Sequence, residues 1–238
     1  MNIQPLAEAH IKAHAKRAYP KEACGLLVID KGKHLYVPCR NEAENTEHFI
    51  MNVEDYAAAE DKYNVLSVVH SHPNLPPIAS QADRTSCNIT GLPWIIVGWP
   101  SAEIKTYLPD NFVAPLIGRE FSHGVLDCYS LIRDYYKATL KIILPEHERR
   151  DNWWNMGENL YLDNYEKDGW ILVDKSQRKK HDMVYMRVSS KVSNHAGIFL
   201  GDNKILHHVM GRISTREVYG GYWEKVTTHI LRRKEFAC

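Results

Sequence analysis

The sequence predicts a mixed α+β chain built from two domains. Three observations carry this. The chain has 238 residues, long for one compact domain and comfortable for two. Helix-period and strand-period segments alternate within each half. Between the halves, 109–120 contains Pro109, Asn111, Pro115 and Gly118 and sustains no period, so it reads as a tether. The expected boundaries are 1–112 for the first domain, 113–120 for the linker and 121–238 for the second domain.

The first half opens on a helix over 6–18, with Ile11, Ala15 and Ala18 on one face, and Pro20 stops it. Two apolar-rich strands, 25–29 and 34–37, flank the Lys31-Gly32 turn as a hairpin. A helical pattern over 53–64 places Tyr56, Ala59 and Tyr63 together. A short buried strand over 65–69 then delivers the chain to His70, and further strands are expected at 94–97 and 103–108. In the second half, 126–140 is a helix with Leu131, Tyr135 and Tyr136 on its apolar side. The charged stretch 146–158 carries Trp153 and Trp154 and is expected to loop over the surface. Strands follow at 183–187, 196–200 and 204–208, with Asp202-Asn203 at a hairpin turn.

Thirty basic and 29 acidic side chains leave a net charge of +1, so no strong field favours nucleic acid or anionic lipid. No apolar run approaches the length needed to span a bilayer, and the charged, histidine-bearing stretch 1–17 is not expected to act as a secretory signal. Partners of both kinds are therefore not expected. Five scattered cysteines without a Cys-x-x-Cys pair suggest neither a disulfide framework nor a zinc knuckle. Thirteen histidines, in contrast, give unusual capacity for metal binding.

The text His70-Ser71-His72-Pro73 follows directly on a strand. Period-two geometry points His70 and His72 to the same side, as two ligands of one metal require. Asp83 lies eleven residues beyond His72, past a loop with Pro73, Pro76 and Pro77 that can bring it back. Two imidazoles and a carboxylate leave a fourth zinc position open, the arrangement of a catalytic site. Glu22 is the candidate general base, and Ser80 could hydrogen-bond a developing oxyanion. The competing explanation of Ser80-Gln81-Ala82-Asp83 is a helix N-terminus with a cap, and the two roles are compatible.

The whole pattern resembles the JAMM (MPN-plus) metalloprotease family. Glu22 lies in Glu-x-Cys-Gly, His-Ser-His-Pro follows, seven residues separate His72 from Ser80, and two more precede Asp83. Asn41, Phe49 and Gly98 also match the family's framework. The resemblance covers roughly 1–112 and implies a cytidine-deaminase-like α/β sandwich. It also implies zinc held by His70, His72 and Asp83, a water activated by Glu22, and cleavage of an isopeptide or peptide bond.

In the second half, Asp127-Cys128-Tyr129-Ser130 puts a cysteine at a helix start, where the helix end favours a thiolate. His195 and His207 flank the Asp202-Asn203 turn and would lie on adjacent strands, near enough for one to orient the other. Asp-Cys at a helix start, His-x-Gly-Ile-x-Leu-Gly and a polar residue twelve positions on resemble the NlpC-type papain-like endopeptidases, which have an α+β fold. That resemblance implies Cys128 as nucleophile, His195 as general base, His207 as orienting residue and peptidoglycan stem peptides as substrate. The family's usual Asp-Cys-Ser-Gly is altered here to Asp-Cys-Tyr-Ser, which changes the shape expected of the cleft.

A JAMM module fused to an NlpC-type module resembles a family of tail-tip assembly proteins of lambda-like tailed bacteriophages. The resemblance implies tail-tip proteins as partners, a ubiquitin-like-fold tail assembly protein as substrate of the first module, and a location in the host cytoplasm during assembly and then at the virion tail tip. Two other classes compete: a tail-assembly scaffold with catalytically idle peptidase folds, and a host cell-wall hydrolase, which should carry wall-binding repeats that this sequence lacks.

Overall fold

A computed structural model describes every residue except Met1, Asn45, Glu47 and Cys238. The chain divides into two compact units, Met1–Val113 and Ala114–Cys238.

The first unit is a three-layer α/β/α sandwich. Its elements are α1 (Pro5–Ala18), β1 (Cys24–Asp30), β2 (Lys33–Cys39), α2 (Val53–Lys62), β3 (Asn64–Pro73), α3 (Gln81–Thr90), β4 (Trp94–Trp99) and β5 (Ile104–Tyr107). The strands form one sheet in the order β2-β1-β3-β4-β5, parallel only between β3 and β4. Alternation along each strand divides the core. Leu27, Tyr36, Val69, Ile95 and Val97 meet Ala7, Ile11 and Ala15 of α1 on one face. Cys24, Leu26, Val28, Val68 and Trp94 meet Ala59 of α2 and Cys87 of α3 on the other. The β1–β2 turn has positive φ at both Lys31 (48°) and Gly32 (81°), the twist a two-residue hairpin requires. Compared with the sequence expectation, β3 runs on through the histidines to Pro73, because Ser71 N–H donates to the Ala23 carbonyl and β4 pairs as far as Pro73.

The second unit packs helices on an antiparallel sheet. Its elements are α4 (Cys128–Tyr135), α5 (Leu160–Asn164), β6 (Trp170–Val173), β7 (Met183–Met186), β8 (His195–Gly201), β9 (Lys204–His207), β10 (Thr215–Val218), α6 (Tyr222–Val226) and β11 (Thr227–Arg233). The sheet order is β10-β9-β8-β7-β11-β6. Leu131, Ile132 and Tyr135 of α4 pack with Met183, Tyr185, Ala196, Ile198 and Leu206. The opposite face gathers Val184, Met186, Phe199, Ile205 and Ile230, with Trp223 and Val226 of α6 against it.

Two local expectations change. The helix begins at Cys128 and not at 126, and its final turn, Tyr136–Leu140, widens to π geometry. The loop expected to cross the surface instead buries Trp153 at 2% exposure and encloses the Arg149 guanidinium. Asp202 and Asn203 both have positive φ at the β8–β9 turn, as expected there. In the stretch 109–120, the Asn88 side chain accepts from Asp110 N–H and Asn111 N–H. Further on, Arg119 is fully buried and donates to the Ala114 and Pro115 carbonyls.

Candidate functional sites

The first site forms where β1, β3 and α3 meet on the α2–α3 side of the sheet. His70 and His72 alternate with Ser71 along β3 and share the face of Val68. Their Nε2 atoms lie 3.0 Å apart. Asp83 approaches from the first turn of α3, with Oδ1 3.2 Å from His70 Nε2 and Oδ2 3.3 Å from His72 Nε2. All three side chains are nearly buried. The His72 tautomer follows from its other nitrogen: Nδ1 faces the Pro76 carbonyl at 3.3 Å, so it carries the proton and Nε2 offers a lone pair. Gly98 permits that arrangement. A Cβ there would sit 2.8 Å from Pro77 Cδ and 2.9 Å from the Leu75 carbonyl, so only glycine lets the proline loop lie over β4. Phe49 and Trp94 pack on the His70 ring at 4.9 and 5.3 Å.

Cys24 pairs with His70 across the β1–β3 ladder, and the Ser71-to-Ala23 hydrogen bond continues the register. Glu22, one residue further, therefore stands level with His72. It is 8% exposed. Its carboxyl is raised by burial, against the lowering effect of His70 and His72. Asn41 fixes the backbone here by donating to the Glu22 carbonyl at 3.0 Å. Burial would also raise the Asp83 carboxyl, but the histidines and the Ser80 N–H hold it well below the usual range.

Ser80 is the N-cap of α3. Its hydroxyl accepts from Asp83 N–H at 3.0 Å and donates to Asp83 Oδ2 at 2.8 Å, and Ser80 N–H donates to the same oxygen. The hydroxyl expected to face an oxyanion is thus committed to orienting Asp83. Two imidazole nitrogens and a carboxylate, all within 4.8 Å of one another and buried, form a donor set that fits a divalent metal. Without a cation between them, two like nitrogens at 3.0 Å would depend on a shared proton alone.

The second site lies at the N-terminus of α4. Asp127 caps the helix, with Oδ1 accepting from Ser130 N–H at 2.9 Å. Its Oδ2 accepts from Arg149 Nε at 2.6 Å and from Gly124 N–H at 3.1 Å. Cys128, His195, Tyr161, Arg149 and His208 line one cavity of about 230 Å³, with Trp153, Trp154 and Phe121 among its walls. His195 precedes Gly197, the direct β8 partner of His207, by two residues, so both rings share a face of the sheet. His195 Nε2 lies 3.1 Å from His207 Nδ1.

The hydrogen-bond partner of the Cys128 sulfur is not His195. It is the Tyr161 hydroxyl, at 3.2 Å. Burial and the Asp127 charge push the thiol up to about 11, outweighing Tyr161, the Ala196 N–H and Arg149. Burial, then His207 and His208, lower His195 to about 3. Both shifts favour a neutral thiol and a neutral imidazole, against the pull of the helix terminus toward a thiolate. Tyr161 and Arg149 carried no spacing signal that sequence alone could have exposed.

Comparison with known proteins agrees with both halves. The sequence profile described as prokaryotic homologs of the JAB domain matches residues 6–109, and that of the NlpC/P60 family matches 118–232. The chain is 41% identical over 230 residues to the tail tip assembly protein K of Escherichia phage N15, covering 94% of this chain and 93% of that one. It is 38% identical over 184 residues to the tail tip assembly protein K of Escherichia phage lambda, covering 77% and 89%. Among solved structures, a JAB1/MPN domain protein of Archaeoglobus fulgidus is similar at 24% identity and a TM-score of 0.30, over 43% of this chain and 80% of that one. With identity above 30% along nearly the full length of such relatives, this chain belongs to the family of tail tip assembly protein K, a JAB-type domain followed by an NlpC/P60 domain.

Proposed function

We propose that the chain acts in phage tail-tip assembly as a hydrolase with two independent sites, a zinc-dependent peptidase in the first unit and a cysteine endopeptidase in the second. The observation that carries the first half is the convergence of His70, His72 and Asp83 within 4.8 Å, with buried Glu22 level with them. His70, His72 and Asp83 would hold zinc, which supplies Lewis-acid chemistry when bound. Glu22 accepts a proton from the attacking water and passes it to the leaving amine nitrogen. Ser80 holds Asp83 in place through the α3 cap. The substrate of this site is an isopeptide or peptide bond in a tail protein, with a ubiquitin-like-fold assembly partner as the first to test.

In the second unit, Cys128 gives its proton to His195, and its sulfur bonds to the scissile carbonyl carbon. The C–N bond breaks as His195 returns that proton to the amine, and water then releases the acyl group. His207 orients His195. The substrate class is the peptidoglycan stem peptide, which suits a protein made in the host cytoplasm and retained at the tail tip. Among the described residues, no helix is long and apolar enough to cross a membrane.

One observation favours a scaffold with an idle second site: Cys128 is buried and bonds Tyr161, not His195. Turnover decides. Purified wild type should contain one zinc and His72→Ala almost none, while Glu22→Gln should keep the metal and lose peptidase turnover on tail proteins. Equal zinc in wild type and His72→Ala would remove the metal assignment. Alkylation of Cys128 should stop wall hydrolysis, and chelation should spare it. Wall hydrolysis that survives Cys128→Ala would leave the scaffold reading for the second unit.

A further inference from the structure

The second histidine of the cysteine site has a nitrogen that the mechanism above leaves unused. The His207 ring is fully enclosed, with Nδ1 against His195 and Nε2 lacking any hydrogen-bond partner. A buried imidazole nitrogen without a partner is costly and marks either a proton or a lone pair that something must meet. The group facing it is Glu217, whose Oε2 lies 3.7 Å from His207 Nε2. At that separation the contact is an ion-pair distance, not a hydrogen bond, and contacts of this kind tighten once substrate closes the site.

Glu217 is placed there by the fold. Thr215 of β10 pairs directly with His207, and Glu217, two residues on, returns to the same face. Its Oε2 is anchored by the Trp223 indole N–H at 2.7 Å. The Trp223 ring stands edge-on to His207 at 4.4 Å and covers His195 at 6.0 Å. Oε2 thus faces the histidine, while the Glu217 side chain is 27% exposed and its Oε1 lies 3.7 Å from Arg212 Nη1.

We infer that Glu217 is a positioning residue of the cysteine site, whose carboxylate accepts from His207 Nε2–H and thereby sets the tautomer of both histidines. This rests on the proposed cysteine peptidase. A neutral imidazole carries one N–H and one lone pair. With its proton on Nε2 toward Glu217, His207 can only accept at Nδ1, so His195 Nε2 must donate to it. The His195 lone pair is then confined to Nδ1, the nitrogen left to take the Cys128 proton. Without Glu217, His207 could donate from Nδ1, His195 would accept at Nε2, and its Nδ1 would carry a proton that blocks transfer from the thiol. When His195 takes up that proton, the same carboxylate offsets the positive charge on the histidine pair. The ionisable groups bearing on the pair are Glu217 and Arg212 at His207, with His208 and Asp127 acting on His195.

The test uses the full-length protein and iodoacetamide, following Cys128 labelling against pH in wild type, Glu217→Leu, Glu217→Gln, His207→Ala and His195→Ala. Glu217→Leu should slow labelling at pH 7 by about tenfold, the effect of losing one hydrogen bond to a charged group. In a His207→Ala background it should add no further loss, since Glu217 acts only through that ring. Glu217→Gln retains an acceptor without its charge, so labelling should stay within about threefold of wild type, with the upper inflection of the pH profile moved to lower pH. A wild-type rate in Glu217→Leu, or an equal loss with and without His207, overturns the inference in favour of a structural role. Should Glu217→Leu not fold, the Glu217→Gln profile decides, an unmoved inflection being fatal. If His195→Ala labels as fast as wild type, the cysteine peptidase reading fails instead.

Discussion

At the scale of single residues, burial sets the charge states of the second unit and makes its stability depend on pH. His195 is lowered to about 3 and His208 to about 4, in each case mainly by burial. In an unfolded chain both titrate near the ordinary value of about 6.5. Between those limits the unfolded state therefore binds more protons than the folded one, and stability rises with pH across that window. The contribution is intact above about pH 6.5 and is lost progressively as pH falls below it. Thermal melts should show the second unit's transition moving down between pH 7 and pH 5, and His208→Phe should flatten that slope. An unchanged slope in the variant would remove His208 from the account. The residues legible in the sequence were those whose chemistry needs fixed local spacing. His70 and His72 were readable because a strand alternates, and Asp127-Cys128 because a helix needs a cap. Tyr161, Arg149 and Glu217 reach their sites from distant segments, and no spacing records that.

At the scale of elements, the N-terminus of α4 depends on the loop over 141–159. Arg149 enters a site where its side chain is 2% exposed, and it donates to Asp127, to Glu146 and to the Gly124 and His147 carbonyls. Burial would raise the Asp127 carboxyl, but the Arg149 charge and the Ser130 N–H hold it below its ordinary value. Arg149→Met leaves that carboxylate buried without its counter-ion, and unfolding in denaturant should show a loss of about 3–5 kcal/mol. Adding Asp127→Asn should recover much of this, because asparagine still caps the helix and carries no charge. Additive losses in the double variant would show that the two side chains act separately. The charges of this loop point to a solvated surface, although one of them, Arg149, is a buried anchor. The strands β10 and β11 escaped detection for a related reason. Thr215–Val218 is an edge strand of alternating exposure, and Thr227–Arg233 opens and closes on polar residues, so neither presents the apolar run that marks a central strand.

At the scale of the whole molecule, each unit has its own sheet and its own core, so each should survive separation. Where the chain can be cut follows from its attachments. Asp110, Asn111 and Phe112 are tied to α3: Asn88 accepts from the first two backbone N–H groups, and the Arg84 guanidinium lies 4.1 Å from the Phe112 ring. Ala114 and Pro115 are tied to Arg119, which also pairs with Asp134 of α4 at 2.7 Å. Val113, between these anchors, is 81% exposed. We therefore propose that the junction is much shorter than the composition of 109–120 suggests, because a fully buried arginine draws its later half into the second unit. Brief digestion should open the chain at or next to Val113, where a protease can reach extended backbone without disturbing either core. The N-terminal product should retain the zinc bound by the intact protein, and the C-terminal product should retain its rate of Cys128 labelling. Early cuts within β3 or β8 would contradict two self-sufficient units. Cuts clustered near 116–120 would show that the Arg119 anchor opens readily in solution, and Arg119→Leu should then leave the pattern unchanged, whereas a firm anchor predicts that this variant shifts cleavage from 113 towards 120.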